Sequence, residues 1–118
     1  MFIRKTIISI CLVSLLVLSC AAPYRGPAVD GETVTFMVFA PDAKTVSLVG
    51  SFNRWDTDAS KMTGPDEKGW WRVALPLPPG RHEYLFLIDG RRWVRDLKVP
   101  SVVDDGFGGK NSVLYLGK

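Results

Sequence analysis

The side chains that could carry chemistry in this chain are few and poorly placed for catalysis. His82 is the single histidine, beside Pro79-Gly80 at the start of an apolar run, and reads as a structural, partly exposed ring. Asp104-Asp105 is an adjacent carboxylate pair, and Asp56 with Asp58 is another close one. Glycosidic hydrolysis requires two carboxylates opposed across a cleft, roughly 5–9.5 Å apart. Neighbours within one loop lack that opposition, so both pairs read as solvated turns. Gly106-x-Gly108-Gly109 has the glycines of a phosphate cradle, but no helical pattern follows it to aim N–H groups at an anion. No nucleophile, base and acid come together. The expectation is a protein that is not an enzyme, with no cofactor and no metal site.

Two cysteines remain, and both sit in the first twenty residues. Arg4 and Lys5 precede an uncharged apolar run, Ile7 to Leu18, which ends in Ser19-Cys20. A short basic segment, an apolar core and a small residue before the cut describe a secretory signal over residues 1–19. A cysteine directly after that small residue resembles the lipobox of bacterial lipoproteins, which implies acylation of Cys20. Ala21, rather than Asp, follows it, a pattern that resembles outer-membrane sorting. The expected location is therefore the bacterial cell envelope, with the membrane contacted through an N-terminal lipid. Thr6 to Ala22 also forms a run of 17 uncharged residues. That is the low edge of the roughly 17–25 needed to span a bilayer, so an uncleaved anchor is the alternative.

Cleavage before Cys20 changes the charge. The whole chain has 15 basic and 12 acidic residues; losing Arg4 and Lys5 leaves 13 and 12. A balance this even gives no support for a nucleic-acid partner, which would require a clustered basic face, and none is expected. Cys11 would leave with the signal and Cys20 would be linked to lipid, so no thiol would remain for a disulfide, a nucleophile or a metal. Residues 20–32 hold Pro and Gly without apolar periodicity and read as a tether. Its last 12 residues, Ala21 to Glu32, reach roughly 40 Å when fully extended.

From Thr33 onward the apolar period is two. Val34, Phe36 and Val38 alternate with Thr35, Met37 and Phe39; Val46 and Leu48 alternate with Ser47 and Val49; Trp71, Val73, Leu75 and Leu77 alternate with Trp70, Arg72 and Ala74. These are half-buried antiparallel strands. Trp71 belongs to the core, and Trp70 points the other way as a secondary site candidate. Pro76 belongs at an edge or a strand end, where no N–H is required. Pro41-Asp42, Gly64-Pro65-Asp66, Pro78-Pro79-Gly80 and Asp89-Gly90 mark turns, and the last is a hairpin signal. Short strands at this spacing predict one all-β sandwich over residues 33–118.

Several of these segments together resemble a known family. They are Phe36 to Ala43, Val46 to Leu48 running into Val49-Gly50-Ser51-Phe52-Asn53-Arg54-Trp55, then Trp71 to Leu75, Pro79-Gly80, Tyr84 to Gly90, Trp93 and Asp96. In this order they are similar to the glycogen-binding modules of glycogen branching enzymes, isoamylases and the β-subunit of AMP-activated protein kinase, over roughly Thr33 to Leu116. The resemblance implies an immunoglobulin-like (early-set) β-sandwich of about seven strands that binds α-1,4-glucan: glycogen, starch or maltooligosaccharide. In that family two Trp stack on consecutive glucosyl units, a Lys and an Asn bond hydroxyls, and an apolar loop residue inserts beside the chain. By resemblance, Trp55 and Trp93 are the stacking rings, Asn111 is the Asn and Phe107 is the loop residue. The family's cation is Leu85 here, leaving Arg92 or Arg95 to replace it, and a family Thr is Gly109. The hairpin Asp89-Gly90-Arg91-Arg92-Trp93 carries one extra residue. If Tyr84, Phe86 and Ile88 face the core, Leu85 and Leu87 face outward, an apolar pair that points to a protein or lipid contact. A protein-interaction or scaffold module that kept the sandwich and lost the sugar is thus the competing expectation.

Overall fold

Alternating apolar residues become a sandwich once two pleated faces meet. The computed structural model describes residues 25–117; the leader and the Ser19-Cys20 junction lie outside them. One sheet has the order β1 (Ala28–Asp30), β2 (Thr33–Phe39), β4 (Trp70–Pro76). The other has the order β3 (Val46–Gly50), β5 (Gly80–Ile88), β8 (Lys110–Leu116), β7 (Val102–Asp104), with β6 (Arg92–Val94) also paired to β5. Every named pairing is antiparallel. This is the expected immunoglobulin-like β-sandwich. Among the described residues it has eight strands rather than about seven, and no helix long and apolar enough to cross a membrane.

The added strand is β1. Ala28 to Asp30 pair in register with Thr33 to Thr35, so the sheet begins upstream of the expected boundary at Thr33. Three residues between turn-forming Pro and Gly leave no period to read.

The core lies where the two pleats face each other. Val34 and Phe36 of β2 and Trp71 of β4 meet Val46 and Leu48 of β3 and Tyr84, Phe86 and Ile88 of β5, all buried. The Phe36 and Tyr84 rings cross between the sheets edge to face, 4.9 Å apart at 73°, a geometry that adds about 0.5–1.5 kcal/mol to area burial. Trp71 is core as expected, and its indole Nε1–H donates to the Ala40 carbonyl at 2.9 Å. Trp70 lies on the outer face of the smaller sheet against Phe39, ring centroids 5.4 Å apart. Pro76 ends the edge strand β4. His82 is more buried than expected, with its Nε2 2.8 Å from the Pro78 carbonyl and its ring against Phe52.

Strand β3 departs from simple alternation, because Ser47 and Val49 are buried as well as Val46 and Leu48. Ser60 to Thr63 run along its edge: Leu48 N–H donates to Ser60 at 2.9 Å and Met62 N–H to Val46 at 2.8 Å. Thr63 then exchanges backbone bonds with Arg72 of β4. One short segment therefore covers the exposed edge of a strand in each sheet.

The β5–β6 turn has Asp89 and Gly90 at φ 54° and 71°, closed by Arg91 N–H to the Ile88 carbonyl at 3.1 Å. Arg91 is the extra residue, since Arg92 is the partner of Ile88. The Asp89 carboxylate also accepts the N–H groups of Lys44 (2.7 Å) and Thr45 (3.1 Å), pinning the hairpin to the start of β3. Those two bonds, Lys44's first, hold its pKa below the ordinary carboxylate value. A depressed folded-state pKa contributes stability above the unfolded pKa, about 3.9, that is lost as pH falls through the folded value. Asp89→Asn keeps an acceptor but no titration. Its melting temperature should fall less steeply than wild type's below about pH 4, measured by circular dichroism; parallel slopes would contradict this.

Candidate functional site

Strand β5 has a second face. With Tyr84, Phe86 and Ile88 committed to the core, Glu83, Leu85 and Leu87 point outward from the larger sheet. Leu85 pairs across from Val49, and Leu87 lies between Ser47 and Trp93. Leu87 and Val49 are buried although they face away from the core, whereas Leu85 is half-buried. Leu85 is the apolar floor of a groove of about 670 Å³, bordered by Trp55, Trp93, Phe107, Asn111, Glu83 and Arg95.

Trp55 reaches the groove through a tightly tied loop. The Asn53 side chain accepts Gly50 N–H (3.0 Å) and donates to the Leu48 carbonyl (2.9 Å) and Ser60 Oγ (3.0 Å). Ser51 Oγ accepts Glu83 N–H at 3.0 Å, and Phe52 packs on Phe36. Gly50 is extended, so its need is space: a Cβ there would lie 2.4 Å from the Glu83 carbonyl oxygen. The loop closes with Trp55 N–H to the Gly50 carbonyl at 2.9 Å. Arg54 and Trp55 both have left-handed φ, 60° and 58°. For non-glycine residues that conformation costs about 1–3 kcal/mol each and persists only where surrounding bonds enforce it. Trp55 is left 38% exposed.

Trp93 arrives from the opposite side. The extra hairpin residue leaves it in register with Leu87, and the residue is 49% exposed. Its strand is anchored just downstream, where buried Asp96 accepts the Tyr84 hydroxyl at 2.8 Å and donates its N–H to Ser112 Oγ at 2.9 Å. Arg92, the residue carried forward as a replacement cation, is the partner of Ile88 one residue away on the β6 pleat and does not border the groove. Arg95 does.

The far wall is the β7–β8 loop. Asp105 Oδ1 accepts Phe107 N–H (2.6 Å) and Gly109 N–H (3.0 Å), while its own N–H donates to the Gly109 carbonyl (3.0 Å). At Gly109, where the family resemblance has Thr, a Cβ would lie 2.7 Å from Asp105 Oδ2, so a side chain there requires that carboxylate to move. Phe107 stands at the tip, 94% exposed. Asp104 pairs with Lys110, whose hydrogen bond and charge lower its pKa. Asp56 likewise holds Asp58 N–H at 2.8 Å. Each of these carboxylates has a structural partner.

Asn111 is 6% exposed, deeper than a rim residue. Its Nδ2 donates to Glu83 Oε1 at 3.2 Å, and Glu83 Oε2 receives Arg81 at 2.7 Å. Sequence reasoning did not single out Glu83, although its place two residues before Leu85 put it on the outward face. Among the described residues no group of three or more His, Cys, Asp or Glu is gathered as for a metal ion. The groove is thus two exposed indoles flanking an apolar floor, with a buried amide, a carboxylate and a guanidinium beside it.

The family model of carbohydrate-binding module 48, the isoamylase N-terminal domain, matches residues 24–104. The chain belongs to this family. Relatives include the 1,4-alpha-glucan branching enzymes GlgB of Bacillus cereus (strain AH820), Bacillus anthracis and Bacillus thuringiensis subsp. konkukian, each 41% identical over 56 residues. That match covers 48% of this chain and 9% of each enzyme. As a carbohydrate-binding module, the domain is of a non-catalytic kind. Trp55, Leu85 and Trp93 lie inside the family match; Phe107 and Asn111 lie beyond it.

Asn53 is the test of how the loop is held. Asn53→Ala should lower stability by about 1–3 kcal/mol, because it leaves buried backbone groups unpaired. Asn53→Asp, which keeps the acceptor for Gly50, should retain part of that. Urea denaturation measures both; an unchanged midpoint for Asn53→Ala would contradict the clamp.

Proposed function

We propose that this chain is a non-catalytic α-glucan-binding module, held at the bacterial cell envelope by a lipid on Cys20. The observation that carries the sugar reading is that Trp55 and Trp93, both exposed, border one groove over the same sheet face. Glucosyl rings present axial C–H groups on their faces and hydroxyls at their rims. Two indoles suit the faces; Asn111, Glu83 and Arg95 suit the rims. Each aromatic contact contributes about 0.5–1.5 kcal/mol by analogy with aromatic pairs. Leu85 removes the family's hydroxyl-bonding cation, and Arg95 is a cation that borders the groove and can substitute for it. Family membership supports carbohydrate binding in general; the branching-enzyme relatives favour an α-1,4-glucan. The envelope location rests on the leader and the Ser19-Cys20 junction alone.

Titration calorimetry with maltoheptaose, on the whole chain in a sugar-free detergent, should give about −4 to −6 kcal/mol, roughly tens of micromolar to millimolar. Trp55→Ala and Trp93→Ala should each cost about 1–3 kcal/mol of binding with little change in melting temperature. Trp71→Ala should instead destabilise the fold by roughly 3–5 kcal/mol. Leu85→Lys should tighten binding. If wild type and Leu85→Lys both ignore α-glucans, the sugar reading fails and the exposed apolar groove is a protein-docking face.

The anchor has its own test. Mass spectrometry of the wild-type protein from a bacterial host should find a mature chain beginning at acylated Cys20, and Cys20→Ser should be neither acylated nor processed. An unlipidated wild-type chain starting elsewhere would contradict the anchor.

A further inference from the structure

Trp93 borders more than one depression. On its far side a second cleft of about 340 Å³ runs toward the β5–β6 hairpin, bordered by Leu87, Lys44, Thr57, Asp58 and Lys61 as well as Trp93 itself. Strand β5 puts the two in line. Glu83 and Leu85 lie in the first groove, Leu87 lies under the second, and Trp93 stands opposite Leu87 between them. The loop after β3 flanks both: its Trp55 borders the first groove, and its Thr57, Asp58 and Lys61 border the second.

The chemistry also continues. Lys61 Nζ and Asp58 Oδ1 lie 3.7 Å apart with side chains 67% and 81% exposed. A pair this exposed contributes little to stability, so both groups can exchange water for ligand hydroxyls. A cation and a carboxylate side by side offer a donor and an acceptor to neighbouring hydroxyls of one sugar ring, and the Thr57 hydroxyl offers both.

We propose that the second cleft is a further glucosyl subsite, so that an α-glucan chain passes over Trp93 from one groove into the other and the module favours long chains over short ones. This rests on the α-glucan reading of the first groove. A short oligosaccharide fills that groove and reaches no further; a longer one also gains the Thr57, Asp58 and Lys61 contacts.

Maltotriose and maltoheptaose, titrated separately into the whole chain in sugar-free detergent, distinguish the possibilities. Maltoheptaose should bind about tenfold more tightly or better, and Lys61→Ala and Thr57→Ala should each weaken it about threefold or more, as one lost hydrogen bond does, while maltotriose affinity stays unchanged. Equal affinity for the two sugars would overturn the proposal. So would a maltoheptaose advantage that survives both substitutions, since that gain comes from the extra registers a longer chain offers a single groove. Maltotriose bound without any such effect leaves the first groove's function standing, whereas failure of both sugars to bind refutes the α-glucan reading along with this one.

Discussion

The pleat of β5 is the constraint on which both core and groove depend. One side of this strand delivers Tyr84, Phe86 and Ile88 to the space between the sheets, and the other delivers Glu83 and Leu85 to the groove and Leu87 to the neighbouring cleft. A shift of one residue in its pairing would exchange the two sets, burying a carboxylate and exposing two aromatic rings. Partners on both edges oppose such a slip: β3 on one, β8 and β6 in succession on the other. The Phe36–Tyr84 contact and the Tyr84–Asp96 hydrogen bond make the register costlier still to change. Stability and site geometry therefore have a common origin.

The groove is finished by loops, and each loop is tied by one short polar side chain. Asn53 holds the turn that ends in Trp55, Asp89 holds the hairpin that leads to Trp93, and Asp105 holds the turn that raises Phe107. An amide or carboxylate hydrogen-bonded to two backbone groups fixes a loop without burying much surface. Aromatic rings held this way lose little freedom when a ligand arrives, which favours binding at a shallow, open site. The left-handed Arg54 and Trp55 fit the same account, since strained backbone is retained where its surroundings enforce it.

Period-two alternation made β2 and β4 legible, and with them the core positions of Phe36 and Trp71, whereas β5 was legible through the family resemblance, with Tyr84 facing inward as its condition. Asp89-Gly90 announced its hairpin by turn chemistry alone. What stayed hidden had no local signal. β1, β6 and β7 have three residues each, too few to show a period. The burial of Val49 and Ser47 comes from tertiary cover, including a segment more than ten residues downstream. Asn53 looked like one polar loop residue among several, because its three bonds exist only after the loop closes. Trp55, Trp93, Phe107 and Asn111 were identified by resemblance, and they border one groove. The choice between Arg92 and Arg95 depended on the phase of a short strand after a turn one residue longer than the minimal hairpin.

Leu85 marks where this module differs most from the pattern it resembles: an apolar side chain lies at the centre of a groove whose rims are polar. The account requires that the rings on either side of it, and not the opposite-face indole Trp70, meet the sugar. The four indole Nε1–H resonances report this directly in a ¹H–¹⁵N spectrum titrated with maltoheptaose. Trp55 and Trp93 should shift in a saturable way while Trp70, on the outer face of the smaller sheet, stays still. Saturable shifts at Trp70 without Trp55 and Trp93, or no shift at all, would contradict it.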